Sequence, residues 1–199
     1  MGDRAAVGPR KGCSVIEARF LAERELAAAL PRRWRHVQEV AARAASIASA
    51  PEVDGEPLTA AAWLHDIGYA PRLVETGFHP LDGARHLRRL GMVPERVVCL
   101  VAHHSAAVIE AEERGLADEL VDEFAAEQTP TTDALWYVDM TTGPDGQHFQ
   151  VAERLAEIRS RYGHGHVVTR FIDRAERQIV AAVERTQARL EACGMAQSP

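Results

Sequence analysis

The chain lacks the features that mark membrane-spanning, exported or zinc-ribbon proteins. No apolar run approaches the roughly 18 residues of a transmembrane helix, and the opening MGDRAAVGPRKG has no hydrophobic export segment. The three cysteines, Cys13, Cys99 and Cys193, are far apart and have no CxxC spacing, so they indicate neither a disulfide framework nor a zinc ribbon. We therefore expect a cytoplasmic protein without membrane contact, in which residues 1–13 form a flexible tail.

Positive charge is also scarce. The sequence has 23 lysines and arginines against 29 aspartates and glutamates, which gives a formal net charge of −6. This balance provides no general surface for nucleic acid, so we expect no nucleic-acid partner. Any phosphate-bearing ligand must be held by a local group of cations.

Strand patterns are rare, whereas helical patterns fill the chain. Apolar and alanine residues recur at spacings of three and four, which predicts an all-α, single-domain helical bundle over residues 14–193. Two of the ten predicted helices cover residues 58–66 and 94–103. The last one, over residues 167–193, is long and amphipathic. It offers the surface that a homodimer would use.

Histidines and acids interrupt these apolar faces at five places, namely His36, the pair His65-Asp66 in AWLHDIG, His79, the pair His103-His104 and Asp139. Neighbours on a helix point about 100° apart, so His65 and Asp66 face one metal only at a helix end, where Gly68 releases the backbone. A buried carboxylate needs a partner. The pattern therefore predicts a divalent transition metal site, and Asp66 is the natural ligand to be shared by two ions.

The order His, His-Asp, Asp with HDIG at its centre resembles the HD-domain superfamily of metal-dependent phosphohydrolases. The resemblance runs from His36 to Asp139 and maps the four defining positions onto His36, His65, Asp66 and Asp139. It implies an all-helical fold and hydrolysis of a phosphate mono- or diester, of a nucleotide or small metabolite, by water that a metal activates. His79, His103 and His104 resemble the extra ligands of two-metal branches, which implies one or two ions of Fe, Mn, Ni, Co or Zn.

The chain departs from this pattern directly after HDIG. Tyr69 stands where many relatives have a lysine that contacts phosphate, so another cation must bind the substrate. The candidates are Arg72 in the following loop and the arginines beside His36, namely Arg32, Arg33 and Arg35. We rank Arg72 first, because a loop at the mouth of a site can close over a ligand. The predicted catalytic residues are Asp66, Arg72 and Tyr69, whose hydroxyl can orient substrate or protonate a leaving group.

Two other functions use the same ligands. Di-iron oxygenases of this superfamily bind iron through the order His, His-Asp, His, His, Asp, and such an enzyme would act on a small polyol or phosphonate. A non-catalytic metal- or nucleotide-binding regulatory module would keep the helices without turnover. We favour hydrolysis, because it is the commoner use of such sites and nothing in the sequence marks a particular organic substrate.

Overall fold

A computed structural model of the chain describes residues 13–195, and its regular structure is helical. The α-helices are α1 Val15–Leu26, α2 Pro31–Ser46, α3 Gly55–Leu64, α4 His79–Leu90, α5 Glu95–Ala102, α6 Ala107–Arg114, α7 Ala117–Glu123, α8 Pro130–Met140, α9 Val151–Tyr162 and α10 Val167–Ala192. Short 3-10 turns occupy Ile67–Tyr69, Pro71–Leu73 and His104–Ala106. Within the described range no strand forms, and an isolated antiparallel bridge joins Thr142 to His148. The all-α prediction is confirmed.

The predicted helices are present, and several end earlier than expected, two of them beside predicted ligands. The helix predicted over residues 58–66 ends at Leu64, and the one predicted over residues 94–103 ends at Ala102. In both cases the residues released from the helix include predicted metal ligands. Residues 1–12 of the predicted N-terminal tail lie outside the described residues.

Two apolar clusters form the interior. The larger one packs α1 to α5 against α8, with residues such as Leu58 and Leu135 fully buried. The second lies between α6, α8, α9 and α10 and includes Leu155, Phe171 and Ile179. Because α8 belongs to both clusters, its C-terminal end lies where the two meet.

The long helix α10 packs against α6, α8 and α9. Its buried stripe includes Phe171, Ile172, Ala175 and Ile179, as the amphipathic pattern predicts. No helix of the described chain is long and apolar enough to cross a membrane.

Candidate metal centre

Four of the predicted ligands meet between α2, α3 and α8, although His36 and Asp139 are 103 positions apart. All four are less than one tenth exposed. The Nε2 atom of His36 lies 3.2 Å from Asp139 Oδ1 and 3.6 Å from Asp66 Oδ2. The Nε2 atom of His65 lies 3.4 Å from Asp66 Oδ2 and 3.8 Å from Asp139 Oδ1. These side chains therefore form one compact buried group.

Backbone carbonyls fix the orientation of both imidazoles. His36 Nδ1 is 3.0 Å from the Gly143 oxygen, and His65 Nδ1 is 2.8 Å from the Ala62 oxygen. Because a carbonyl oxygen only accepts, each Nδ1 carries the hydrogen and each neutral ring presents its Nε2 lone pair to the group. The two Nε2 atoms are 3.4 Å apart, beside two carboxylates. Converging acceptors of this kind fit a divalent transition metal ion, and the carbonyl bonds are the usual way of orienting ligating histidines.

A second group uses the other oxygen of Asp66. His79 Nε2 lies 3.4 Å from Asp66 Oδ1 and 3.1 Å from His104 Nε2. The His104 ring is held like the first two, since its Nδ1 donates to the Val101 carbonyl at 2.7 Å. In each of the triads His36/His65/Asp66 and Asp66/His79/His104 the ligand atoms lie within 4.8 Å of one another. The arrangement thus fits two ions with Asp66 between them.

The end of α3 explains why two adjacent residues face the same centre. His65 is the last residue with helical angles, and Asp66 (φ −100°, ψ 7°) begins the turn that follows. A Cβ atom on Gly68 would lie 2.1 Å from the His79 carbonyl oxygen and 2.6 Å from the Gly83 nitrogen. Only glycine permits this approach. The glycine of HDIG therefore lets the start of α4 bring His79 to Asp66.

The turn after α5 holds the last aspartate in place. Ser105 and Ala106 have φ values of 48° and 61°, which is a costly backbone conformation for residues other than glycine and is found mainly at functional sites. In this conformation the Ser105 hydroxyl donates a short hydrogen bond to Asp139 Oδ2. The bond leaves Asp139 Oδ1 to face His36. Sequence reasoning missed Ser105, because nothing in the local pattern indicates a left-handed turn.

A buried acid organises the loop that leads to His79. Asp82 is fully buried, and its carboxylate accepts hydrogen bonds from the backbone N–H groups of Glu75, Thr76 and Gly77 at 2.9 to 3.1 Å. The Thr76 hydroxyl donates to it at 2.8 Å. Asp82 therefore fixes the entry to α4, and with it the position of His79.

Burial and neighbouring charges shift the pKa values within the metal-free group in opposite directions. Burial alone raises the pKa of Asp66, but the Arg33 guanidinium and the His65 imidazole hold that pKa well below its ordinary range. Burial lowers the pKa of His65, whereas the charges of Asp66 and Asp139 outweigh burial and raise that pKa to about 9. Burial lowers the pKa of both His79 and His104. A proton on His65 thus partly balances two buried carboxylates in the absence of a metal.

The group opens into a cleft with a volume of about 80 Å³. Arg33 borders it and donates from Nη1 to Asp66 Oδ2 at 2.8 Å. Its guanidinium also lies 4.1 Å above the Tyr69 ring, which stacks on the His79 ring at 3.9 Å. Burial raises the pKa of Tyr69, so its hydroxyl keeps its proton. Arg33 and Tyr69 are the predicted substrate-facing residues that the structure places at the cleft.

His103 requires a correction, because it was predicted to ligate a metal. Its Nε2 atom lies 2.8 Å from the Phe124 carbonyl oxygen, and among the described residues it belongs to neither triad. Since α5 ends at Ala102, the side chains of His103 and His104 leave the turn in different directions. His103 therefore holds the chain after α7, and of the two histidines it is His104 that belongs to a triad.

Three predicted phosphate-binding arginines also need correction. Arg72 makes an ion pair with Glu25, and the described residues that line the cleft do not include it. Arg32 and Arg35 each pair with Asp145 at 2.8 Å and are absent from the described lining of the cleft, although Arg32 lines a neighbouring pocket. The turn at Pro71–Leu73 turns Arg72 towards the buried carboxylate of Glu25, an interaction that composition and spacing do not reveal.

Helix α9 contributes residues to the cleft that the sequence analysis did not single out. Arg154, Ile158 and Arg161 all line it. Their spacings of four and three residues place them on one face of the helix, which is the only signal that the sequence offers. The motif search could not find them, because they follow the last ligand of the motif.

The chain matches the family model of the HD domain over residues 33–138, which is just over half of its length. The matched segment contains His36, His65, Asp66, His79 and His104 and stops one residue before Asp139. No curated protein and no solved structure among those compared matches the chain. With the helical fold and the His/Asp cluster in place, the extent of the match shows that the chain belongs to the HD-domain family.

Proposed function

We propose that the protein is a metal-dependent phosphohydrolase that cleaves a phosphate ester of a nucleotide or a small metabolite. The observation that supports this most strongly is the position of Asp66, whose two oxygens face two different pairs of histidines. Two ions that share one carboxylate form the arrangement used for displacement at phosphorus. Membership of the HD-domain family agrees with it.

The proposal assigns the ligands as follows. His36, His65, Asp66 and Asp139 would hold one ion, and Asp66, His79 and His104 a second one. When bound, a divalent ion polarises a phosphoryl oxygen and lowers the pKa of water from about 15.7 towards 7. Iron, manganese, nickel, cobalt and zinc all suit imidazole and carboxylate donors.

The remaining groups orient the ligands and the substrate. The Gly143 and Ala62 carbonyls hold the protons on His36 Nδ1 and His65 Nδ1, so both Nε2 atoms stay available. The Ser105 hydroxyl fixes Asp139. In our proposal the Tyr69 hydroxyl, kept protonated by burial, donates a hydrogen bond to a substrate oxygen, and Arg33 offsets the negative charge of the phosphate.

A second pocket adjoins the cleft and has room for the organic part of the substrate. Its volume is about 370 Å³, and Arg33, Tyr69 and Arg161 line both spaces. Its other walls are Arg32 and four apolar residues, Ala29, Leu30, Pro31 and Pro144. A volume of this size lies within the range of small-molecule sites. We propose that the leaving group occupies this outer pocket.

The test is an assay of the purified protein with Mn²⁺, Co²⁺ or Ni²⁺ against a panel of nucleotides and sugar phosphates. We expect inorganic phosphate to be released in a metal-dependent way. Oxygen uptake by the iron-loaded protein, without phosphate release, would establish the oxygenase instead. Retention of metal without turnover of any ester would establish a regulatory module.

Two further expectations belong to this proposal. Cys13, Cys99 and Cys193 are all free, which supports a cytoplasmic location, since thiols persist in a reducing compartment. The exposed face of α10 is the surface that we propose for a homodimer, and light scattering of the purified protein measures its mass directly.

A further inference from the structure

Helix α9 brings an incompletely paired arginine to the metal centre. Arg154 is 5% exposed and lines the cleft. Its Nη1 donates to Glu157, whereas its Nε is buried and has no hydrogen-bond partner among the described residues. Buried polar atoms are rarely left unpaired in proteins, and each exception calls for a specific explanation.

Charge around Arg154 is also unbalanced. Glu157 is the partner of Arg154 and also of Arg161, whose Nε lies 3.3 Å from it. Two guanidinium groups thus share one carboxylate. Other charged groups near Arg154 include Asp139, which belongs to the predicted ligand set, and Arg33. The acid Glu110 also lines the cleft, but it pairs with Arg114. Because arginine stays protonated, this side of the cleft keeps a surplus of positive charge once Asp139 binds a metal.

A second buried arginine, Arg43, has a structural role and serves as a comparison for Arg154. Arg43 is 6% exposed, and its Nε also lacks a partner. Its guanidinium, however, donates to the Thr142 hydroxyl at 2.9 Å and lies 5.2 Å from the centre of the Tyr137 ring. The described residues that line the cleft do not include it. Of the two, Arg154 is the arginine that lies beside space for a ligand.

We infer that Arg154, assisted by Arg161, binds the phosphate of the substrate. This inference rests on the proposed function. The cleft that both arginines line has a volume of about 80 Å³ and shares Arg33, Tyr69 and Arg161 with the outer pocket. A phosphate in this cleft contacts Arg154, and the organic part of the ester extends into the outer pocket.

The experiment measures the binding of inorganic phosphate to the Mn²⁺-loaded protein by titration calorimetry. Arg154→Gln removes the charge, and Arg159→Gln is the matched control. Arg159 lies on the same helix but pairs with Asp173 and Glu176 of α10. We expect Arg154→Gln to raise the dissociation constant of phosphate by about 10- to 100-fold, as for a hydrogen bond between charged groups, and Arg159→Gln to change it by less than about twofold.

Metal content and thermal midpoint are measured for each variant. If Arg154→Gln does not fold, Arg161→Gln replaces it, with an expected loss of at least about threefold from its more exposed position. The inference is overturned if phosphate binds Arg154→Gln as tightly as the wild type, if Arg159→Gln loses as much affinity, or if the loss follows a loss of metal.

The ester panel separates this inference from the proposed function. If no ester of the panel is hydrolysed while phosphate binding still depends on Arg154, the proposed function fails and the phosphate site stands.

Discussion

The two halves of the candidate metal centre are built on two similar helix ends. After α3, His65 Nδ1 donates to the carbonyl three residues earlier, and after α5, His104 Nδ1 does the same. The residue that follows each histidine is polar and faces the buried group. Asp66 approaches both histidine pairs, and Ser105 donates to Asp139.

The difference between the two ends lies in the register. In the first turn the pair His65-Asp66 enters the centre together, whereas in the second turn only His104 of the pair His103-His104 does so. The structural counterpart of His65-Asp66 is therefore His104-Ser105. Two adjacent ligand-type residues after a helix end therefore need not both face the same site, since the His103 ring turns to the Phe124 carbonyl.

Replacing Asp66 should break both halves at once and has the largest expected effect. In Asp66→Ala we expect the loss of both ions, because this carboxylate is the shared member of both triads, and a fall in phosphate release of at least about 1,000-fold. Metal analysis and the phosphate assay measure this. Asp133→Asn, which removes a surface partner of Arg185, serves as control. Full metal content in Asp66→Ala would refute the shared-ligand arrangement.

The two histidines of the second turn should respond differently to the same change. His104→Ala removes a member of one triad, so we expect one ion fewer and a fall in activity of about 100-fold or more. His103→Ala leaves the Phe124 carbonyl unpaired, so we expect unchanged metal content and a free energy of unfolding lower by about 1–3 kcal/mol. Metal analysis and urea unfolding separate the two variants. The reverse pattern would contradict the register described above.

Ser105 tests how the second turn holds Asp139. Removing its hydroxyl in Ser105→Ala leaves Asp139 Oδ2 without this donor, and we expect the metal affinity to fall by about 10- to 100-fold, as for other residues that orient ligands. Ser49→Ala, at an exposed position, is the control. Equal affinity in both variants would show that Asp139 does not depend on the turn.

The smallest expected effect comes from competition between a proton and a metal ion for His65, in the first half of the centre. The pKa of His65 is raised from 6.5 to about 9 in the metal-free protein, so its contribution to stability is complete below pH 6.5 and is lost as the pH rises through about 9. A metal must displace this proton, so we expect the apparent association constant to increase by up to about tenfold per pH unit between pH 7 and 9. Calorimetry in two buffers with different ionisation heats counts the released protons. An affinity that does not change with pH would exclude this competition.

The fold and most of the buried ligand group can be predicted from the sequence, for physical reasons. Helical periodicity is long and regular here, and polar residues on apolar faces need a partner, which points to His36, His65, Asp66 and Asp139. The direction of a side chain beyond a helix end cannot be predicted from helical periodicity. His103 was wrongly predicted as a ligand because its ring turns to the Phe124 carbonyl, 21 positions away, and Arg72 was misplaced because its partner Glu25 is 47 positions away. For Arg154 the sequence offers only its spacing from Ile158 and Arg161, since its role depends on how α9 packs.

The position of the ions relative to Asp66 tests the central claim most directly. A crystal of the metal-loaded protein, with anomalous diffraction recorded at several absorption edges, locates each ion and identifies its element. We expect two peaks about 3.5–4 Å apart, one bordered by His36 and His65 and the other by His79 and His104, with Asp66 between them. A single peak away from Asp66, or a peak coordinated by His103, would contradict the account.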